Sequence, residues 1–282
     1  MSAKPYQRIL IMALKTLLGI KRQGFFIPHR YCNELPITGT LPEYSALNKI
    51  FSKSHETQLD FIKQINSYAD DLKFEDVVSP PGPRWYQTWF PRLDGASAYT
   101  IVRKQRPSKI IEIGSGHSTR FMAQAIKDEG LNTELISIDP EPRASISELK
   151  VRSEKITLDK VDMGIFETLK ENDILFIDSS HIMMPGTDVD FLFNRIFPII
   201  SAGTLIHIHD IFLPHDYPLE WSWRNYNEQQ AVGTLIQGGN FKIIFSSQYT
   251  LTNFTKELHQ GPIGQIHLPN DSYETSLWLK KN

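Results

Sequence analysis

The chain has 282 residues; 40% are apolar and 22% charged, with 30 Lys plus Arg against 32 Asp plus Glu. That balance excludes a broadly basic nucleic-acid binder, and no Lys/Arg block suggests one. Cys32 is the only cysteine, so an intrachain disulfide is excluded, nothing points to secretion, and a cytoplasmic location is expected.

No stretch reaches the ~18 apolar residues that a membrane span needs. The closest, Ile9 to Ile20, is preceded by Arg8 and interrupted by Lys15. It reads as an amphipathic helix that packs on its own domain or on a partner subunit, which leaves a homo-oligomer open, or that lies on a membrane surface. Tyr44 to Leu72 has helical spacing, with Leu47, Ile50 and Phe51 followed by Leu59, Ile62 and Ile65. Ser79-Pro-Pro-Gly-Pro83 can continue neither helix nor sheet and reads as a linker or rigid turn. Trp85, Tyr86, Trp89 and Phe90 follow as a candidate substrate wall, with Arg92 and Asp94 placed to tie it to the core, and then a helix from Ala96 to Lys104. Residues 1–106 thus read as an N-terminal helical extension or lid.

Residues 107–282 have a different rhythm. Strand-sized apolar runs stand at 109–113, 134–138, 155–158, 173–177, 204–208, 241–245 and 274–279, separated by helix-sized segments. Such alternation implies βαβ units and a parallel sheet. The expected fold is α/β, a doubly wound, seven-stranded Rossmann-like sheet whose last strand can run antiparallel. In such sheets ligands sit outside the carboxyl ends of the strands. Those ends carry Gly114-Ser-Gly116-His-Ser118, Asp139, Asp162, Asp178-Ser-Ser-His181 and His209-Asp210.

The first exit pairs two glycines with the start of a helix near Thr119, where free N–H groups are exposed. A dinucleotide fingerprint wants a third glycine where Thr119 stands. Glu112, inside the strand, could meet an ammonium group, which a nicotinamide dinucleotide lacks. Asp139 can accept two ribose hydroxyls or cap the turn before Pro140. His117 can cap its helix or touch a cofactor. On the strand, turn, helix and acid-ended strand, the chain resembles class I S-adenosylmethionine-dependent methyltransferases over about residues 107–282. The resemblance implies that Glu112, Gly114, Ser115, Gly116, His117 and Ser118 hold the methionine moiety. It places Asp139 on the ribose, Asp162 near the adenine and Asp178 beside the cofactor.

Asp178, His181, His209 and Asp210 are expected to converge, because they leave neighbouring strands. Two acids and two histidines can bind a divalent ion: Mg²⁺ with carboxylates and water, Mn²⁺, Fe²⁺ or Zn²⁺ once imidazoles join. Such an ion could lower the pKa of a substrate hydroxyl, and a neutral histidine could take its proton. The pattern is similar to the metal-dependent O-methyltransferases of the catechol and caffeoyl-CoA type and to cephalosporin-hydroxylase-like relatives. That similarity implies metal positions at Asp178, His209 and Asp210. It implies His181 as the base, where catechol-type enzymes carry a lysine.

His207, inside a strand, reads as a hydrogen-bonded core residue, and Asp188 and Asp190 as residues that cap or line a helix rather than bind metal. The aromatics Phe212, Tyr217, Trp221, Trp223 and Tyr226 read as a lid or substrate wall, or as a loop packed on its domain. The strings from Arg84-Trp through Gly114 to Arg120, Ile138 to Arg143, Phe176 to His181, His207 to Phe212 and Tyr226 to Gln229 resemble a bacterial family grouped with methyltransferase domain 24 proteins. The expected activity is O-methylation of a small-molecule or sugar-like hydroxyl. Two other readings stand beside it: a nucleotide-cofactor oxidoreductase, and a non-catalytic partner protein on the same fold.

Overall fold

The computed structural model describes residues 3–74, 81–142 and 145–282. The expected turn at 79–83 is therefore described only from residue 81, and Arg143 lies outside the described residues. The chain divides into two compact units: Met1–Glu43 with His215–Tyr226, and Tyr44–Pro214 with Asn227–Asn282.

The smaller unit holds helix α1 (Ala3–Leu17). Its Leu10, Ile11, Leu14 and Leu17 are exposed, so the apolar stripe does not pack within its own unit. In the same unit the Gly39 N–H donates to Asp216 at 3.1 Å. The aromatic segment packs on itself: Tyr217 stacks on Trp221, Tyr226 stands edge-on to both, and Arg224 lies 4.1 Å over the Trp221 ring. Among the described residues, no helix is long and apolar enough to cross a membrane.

The larger unit begins with α2 (Ser45–Ser52), α3 (His55–Ser67) and α4 (Arg92–Gln105). These helices share one core with the sheet: Phe51, Phe61, Ile65, Leu93 and Tyr99 join Ile110, Phe121, Phe176 and Trp278. Every residue of α4 from Arg92 to Val102 is buried, which marks an interior helix rather than a surface one. It begins four residues before the expected Ala96, because Arg92 and Asp94 are used inside the protein. Arg92 meets Glu274 through two parallel bonds of 2.9 and 2.7 Å, both side chains buried. Asp94 accepts the N–H groups of Thr275 and Ser276. Charged residues at a helix start look like surface in a sequence; here they fasten α4 to the segment that leads into the last strand.

The sheet consists of β1 (Lys109–Ile113), β2 (Glu134–Ile138), β3 (Arg152–Glu154), β4 (Ile174–Ile177), β5 (Leu205–Ile208), β6 (Phe241–Ser246) and β7 (Leu277–Lys281). Between or after them lie α5 (His117–Asp128), the short α6 (Gly164–Glu167) and α7 (Asp188–Phe191), α8 (Glu228–Gln237), α9 (Ser247–Asn253) and α10 (Thr255–Gln260). The strand order is β3-β2-β1-β4-β5-β7-β6. The five strands from β3 to β5 are parallel, and β7 runs antiparallel between β5 and β6. This is the doubly wound, Rossmann-like sheet that the alternation implies. β4 reads Ile-Leu-Phe-Ile and is wholly buried, as a central parallel strand must be.

Two strands shift from their expected places. The third lies at 152–154, not 155–158. It is a three-residue edge strand carrying Arg152 and Glu154, and edge strands favour charge, so a search for apolar runs passes over it. The last begins at Leu277 rather than Glu274, because Glu274 to Ser276 serve the bonds to α4.

Candidate functional site

The register of the parallel strands decides what meets what. Ile113 is paired with both Ile138 and Ile177, and Ile177 with Ile208. One residue further on, the ladder continues across four exits. Gly114 donates to the Ile138 carbonyl, Asp139 to Glu154, Asp178 to Ile113 and His209 to Ile177, all within 2.9–3.1 Å. Gly114, Asp139, Asp178 and His209 therefore stand abreast at the carboxyl edge. The winding reverses between β1 and β4, the place where open α/β sheets bind ligands.

At Gly114 the close approach is strict. Its φ is +87°, and a Cβ would lie 2.0 Å from the Asp178 carbonyl oxygen. Only glycine satisfies both. Ser115 donates to Asp139 at 2.8 Å, and Glu141 N–H donates to the other carboxylate oxygen. Glu112 is fully buried and receives the Ser118 and Thr119 hydroxyls, each at 2.6 Å. The Thr119 hydroxyl also accepts the Gly116 N–H at 3.0 Å, half of a capping box. The residue that replaces the third glycine thus closes the helix start onto Glu112. Burial pushes the Glu112 carboxyl up to about 8, against the pull of the two hydroxyls. Around Gly116 the space is open: an added Cβ would meet nothing within 4 Å.

On the other side of Gly114, Asp178, His181, His209 and Asp210 do converge. His181 Nε2 stands 3.4 Å from both Asp178 and Asp210; His209 Nδ1 stands 3.6 and 3.4 Å from the same two carboxylates. Two further acids complete the cluster. Glu228, at the start of α8, meets His181 Nδ1 at 2.9 Å, and Asp94 meets His209 Nε2 at 3.2 Å. His181 and Asp210 both adopt left-handed backbone, φ +59° and +57°, which a histidine rarely holds without support. For His181 the support is visible, since its carbonyl accepts the N–H groups of Asn227 and Glu228. Burial alone would lower both imidazoles. The acids overcome it and raise them well above the ordinary value: Asp210, Asp178 and Glu228 for His181, and Asp178, Asp210 and Asp94 for His209. Burial also works against charge on Asp178, yet His209 and His181 hold its carboxyl far below the usual range. Among the described residues, no group of three or more His, Cys, Asp or Glu is arranged to hold a metal ion. Each imidazole stands between carboxylates, and the cluster meets as ion pairs.

Asp162 lies away from this row. It is exposed and accepts the Gly164 N–H at 3.0 Å, at the start of α6. His207 is the core residue expected, bonded to Ser276 at 2.8 Å and stacked 3.7 Å from Phe176. Asp188 and Asp190 close the turn before α7. Trp85 is buried, with Nε1 donating to the Leu72 carbonyl, whereas Tyr86 and Trp89 are exposed. In the sequence, Glu228 stands only within the Tyr226 to Gln229 string and Asp94 only as a tie beside Arg92; only folding shows that both end on the histidines.

Residues 111–211 match a family described as a methyltransferase domain. No curated protein matches the chain. Among solved structures, it is similar to an S-adenosylhomocysteine-bound methyltransferase of Podospora anserina, with 15% identity, 92% of this chain and 99% of that one covered and a TM-score of 0.41. It is similar also to an O-methyltransferase from Bacillus cereus in complex with S-adenosylhomocysteine, with 15% identity, coverage of 85% and 98% and a TM-score of 0.40. With scores and identities this low, the fold rests on the strand order and register described above, not on these likenesses.

Proposed function

We propose that this chain, which carries a class I methyltransferase domain, transfers a methyl group from S-adenosylmethionine to a hydroxyl of a small-molecule or sugar-like acceptor. The observation that carries the reading is the row of four exits, which gathers a glycine turn, a ribose-type acid and a charged cluster at the switch point of the sheet. The open space at Gly116 fits a ligand laid against backbone.

When bound, the cofactor supplies an electrophilic methyl group. In this assignment Gly114, Ser115, Gly116, His117 and Ser118 line the methionine moiety, with Glu112 fixing the turn through Ser118 and Thr119. Asp139 takes the ribose, already oriented by Ser115 and Glu141. Asp162 would serve the adenine end of the cofactor. Asp178, held anionic, offers a charge to a cationic ligand. His181 is the base: it takes the acceptor's proton as the oxygen attacks, while Glu228 fixes its ring. Because the surrounding acids keep its proton on, methyl transfer should quicken as the pH rises past neutrality. A divalent ion would draw on Asp178, His209 and Asp210, with Mg²⁺, Mn²⁺, Fe²⁺ or Zn²⁺ as candidates. Asp178 and Asp210 are paired with the imidazoles of His181 and His209, an arrangement that does not fit an ion.

Calorimetry with S-adenosylhomocysteine tests the core of the reading: binding is expected, and its absence at near-millimolar protein would remove it. NAD(H) in parallel melts should give no shift; a shift would favour the oxidoreductase. Addition of Mg²⁺ or Mn²⁺ after chelation should leave melting unchanged, and a rise would bring the ion back. His181→Asn, which tolerates the left-handed backbone, should keep cofactor binding and lose transfer to a panel of hydroxylated acceptors.

A further inference from the structure

A second group of charged side chains lies on the other flank of the glycine turn, and it is built in the opposite sense from the Asp/His cluster. His117 and Arg120 are three residues apart on α5 and so share a face of its first turn. Trp85 packs 5.0 Å from Phe121, ring to ring, and Arg84, which precedes Trp85, is near enough for its charge to act on both Arg120 and His117. Arg120 is 4% exposed and donates through one terminal nitrogen to the Ser145 carbonyl at 3.1 Å. Its Nε, the Arg84 Nε and the His117 Nδ1 are all buried and lack any hydrogen-bond partner.

No carboxylate answers these cations among the described residues. Arg92, Arg103, Arg106 and Arg152 each meet an acid; Arg84 and Arg120 meet none. They act on one another instead. Burial, Arg120 and Arg84 press His117 down to about 4, and burial with Arg84 lowers Arg120. Two guanidinium groups held together, partly dry and with unused donors, cost free energy that nothing inside the described protein returns. His117 and Arg120 stand in the first turn of α5, at the positive end of its dipole. An oxyanion would answer the unpaired guanidinium charges, and the guanidinium fork suits a two-oxygen group.

We propose that Arg84, His117 and Arg120 form a binding site for a compact oxyanion, a carboxylate or a phosphate, at the start of α5. Its source is either the carboxylate on the cofactor's amino-acid tail or an acidic group on the methyl acceptor. The inference rests on the proposed methyltransferase reading for the identity of the ligand, but not for the existence of the site.

The test compares the full-length wild type with Arg84→Gln, a half-buried position, using three probes: S-adenosylhomocysteine, 5′-methylthioadenosine (which lacks the amino-acid tail) and low-millimolar inorganic phosphate. If the cofactor's tail is the occupant, Arg84→Gln weakens S-adenosylhomocysteine about tenfold or more and leaves 5′-methylthioadenosine unchanged. If the acceptor's acid is the occupant, both nucleosides bind alike to the two proteins. Phosphate then raises the melting temperature of the wild type and not of the variant. Either result supports the site. Equal responses of the two proteins to all three probes overturn it. Failure of the wild type to bind S-adenosylhomocysteine would sink the methyltransferase reading while the phosphate comparison still judged the site. Arg84→Gln should also melt no lower than wild type in anion-poor buffer, because it relieves repulsion; a marked loss of stability would assign Arg84 a structural role instead. Arg84→Lys, which keeps charge but not the fork, should fall between the two.

Discussion

The two flanks of Gly114 solve the same problem, a polar edge beside a dry core, by different means. On the β1–β2 side a single buried acid, Glu112, is answered by two hydroxyls, and the turn is shaped by backbone and glycine. On the β4–β5 side four acids surround two histidines, and shape comes from charge. A hydroxyl-and-backbone site has one geometry and hardly changes with protonation. A carboxylate–imidazole site can move a proton without moving an atom far. The first suits holding a ligand and the second suits reacting with one, which is why binding is assigned to one flank and the base to the other.

The sharpest way to break that division is at the residue between them. Gly114→Ala would drive a methyl group onto the Asp178 carbonyl in a left-handed backbone. Left-handed strain and overpacking together should cost about 3 kcal/mol or more. Both flanks should suffer, with a large fall in melting temperature and loss of S-adenosylhomocysteine binding by calorimetry. A variant that melts and binds like wild type would mean that the strands do not close on each other as described.

A smaller change separates the flanks. Glu228→Gln keeps an acceptor for His181 Nδ1 but removes the charge, which should cost about 2 kcal/mol of stability. It should slow transfer while leaving cofactor affinity as it was, since Glu228 touches only the charged side. Weakened cofactor binding with normal turnover would reverse the assignment.

How much of this was legible depends on what each element is made of. β1, β2, β4 and β5 are mostly apolar runs with polar exits, and they fall where periodicity puts them, because a parallel strand buried on both faces is predominantly apolar. The exits that matter, Gly114, Asp139, Asp178 and His209-Asp210, are visible for the same reason: polarity begins where the sheet ends. β3 is hidden because its pairing is made by backbone under charged side chains. The start of α4 is hidden because Arg92 and Asp94, charged residues that the sequence offers as ties, are themselves buried helix residues, bonded to partners about 180 residues away. Glu228 and Asp94 could not be joined to the histidines from spacing, since sequence distance does not encode which carboxylate folds onto which ring. Thr119 looked like a defect in a glycine fingerprint and proves to be a cap.

The smallest expected effect probes the hydroxyl-built flank by pH. Glu112 in the folded chain keeps its proton up to about 8, whereas the unfolded chain releases it near 4.5. Between those values the folded state binds more protons, so this group's contribution is fully present below the unfolded value and is lost as pH climbs towards about 8. The slope can reach about 1.4 kcal/mol per pH unit and no more. Glu112→Gln cannot ionise, and one of its two hydroxyl partners loses its acceptor. The variant should therefore melt below wild type in mild acid and close the gap, or overtake, as melts proceed from about pH 5 to about pH 9. A gap that is constant with pH would show that Ser118 and Thr119 hold the carboxylate charged, and both flanks would then be built from ionised acids.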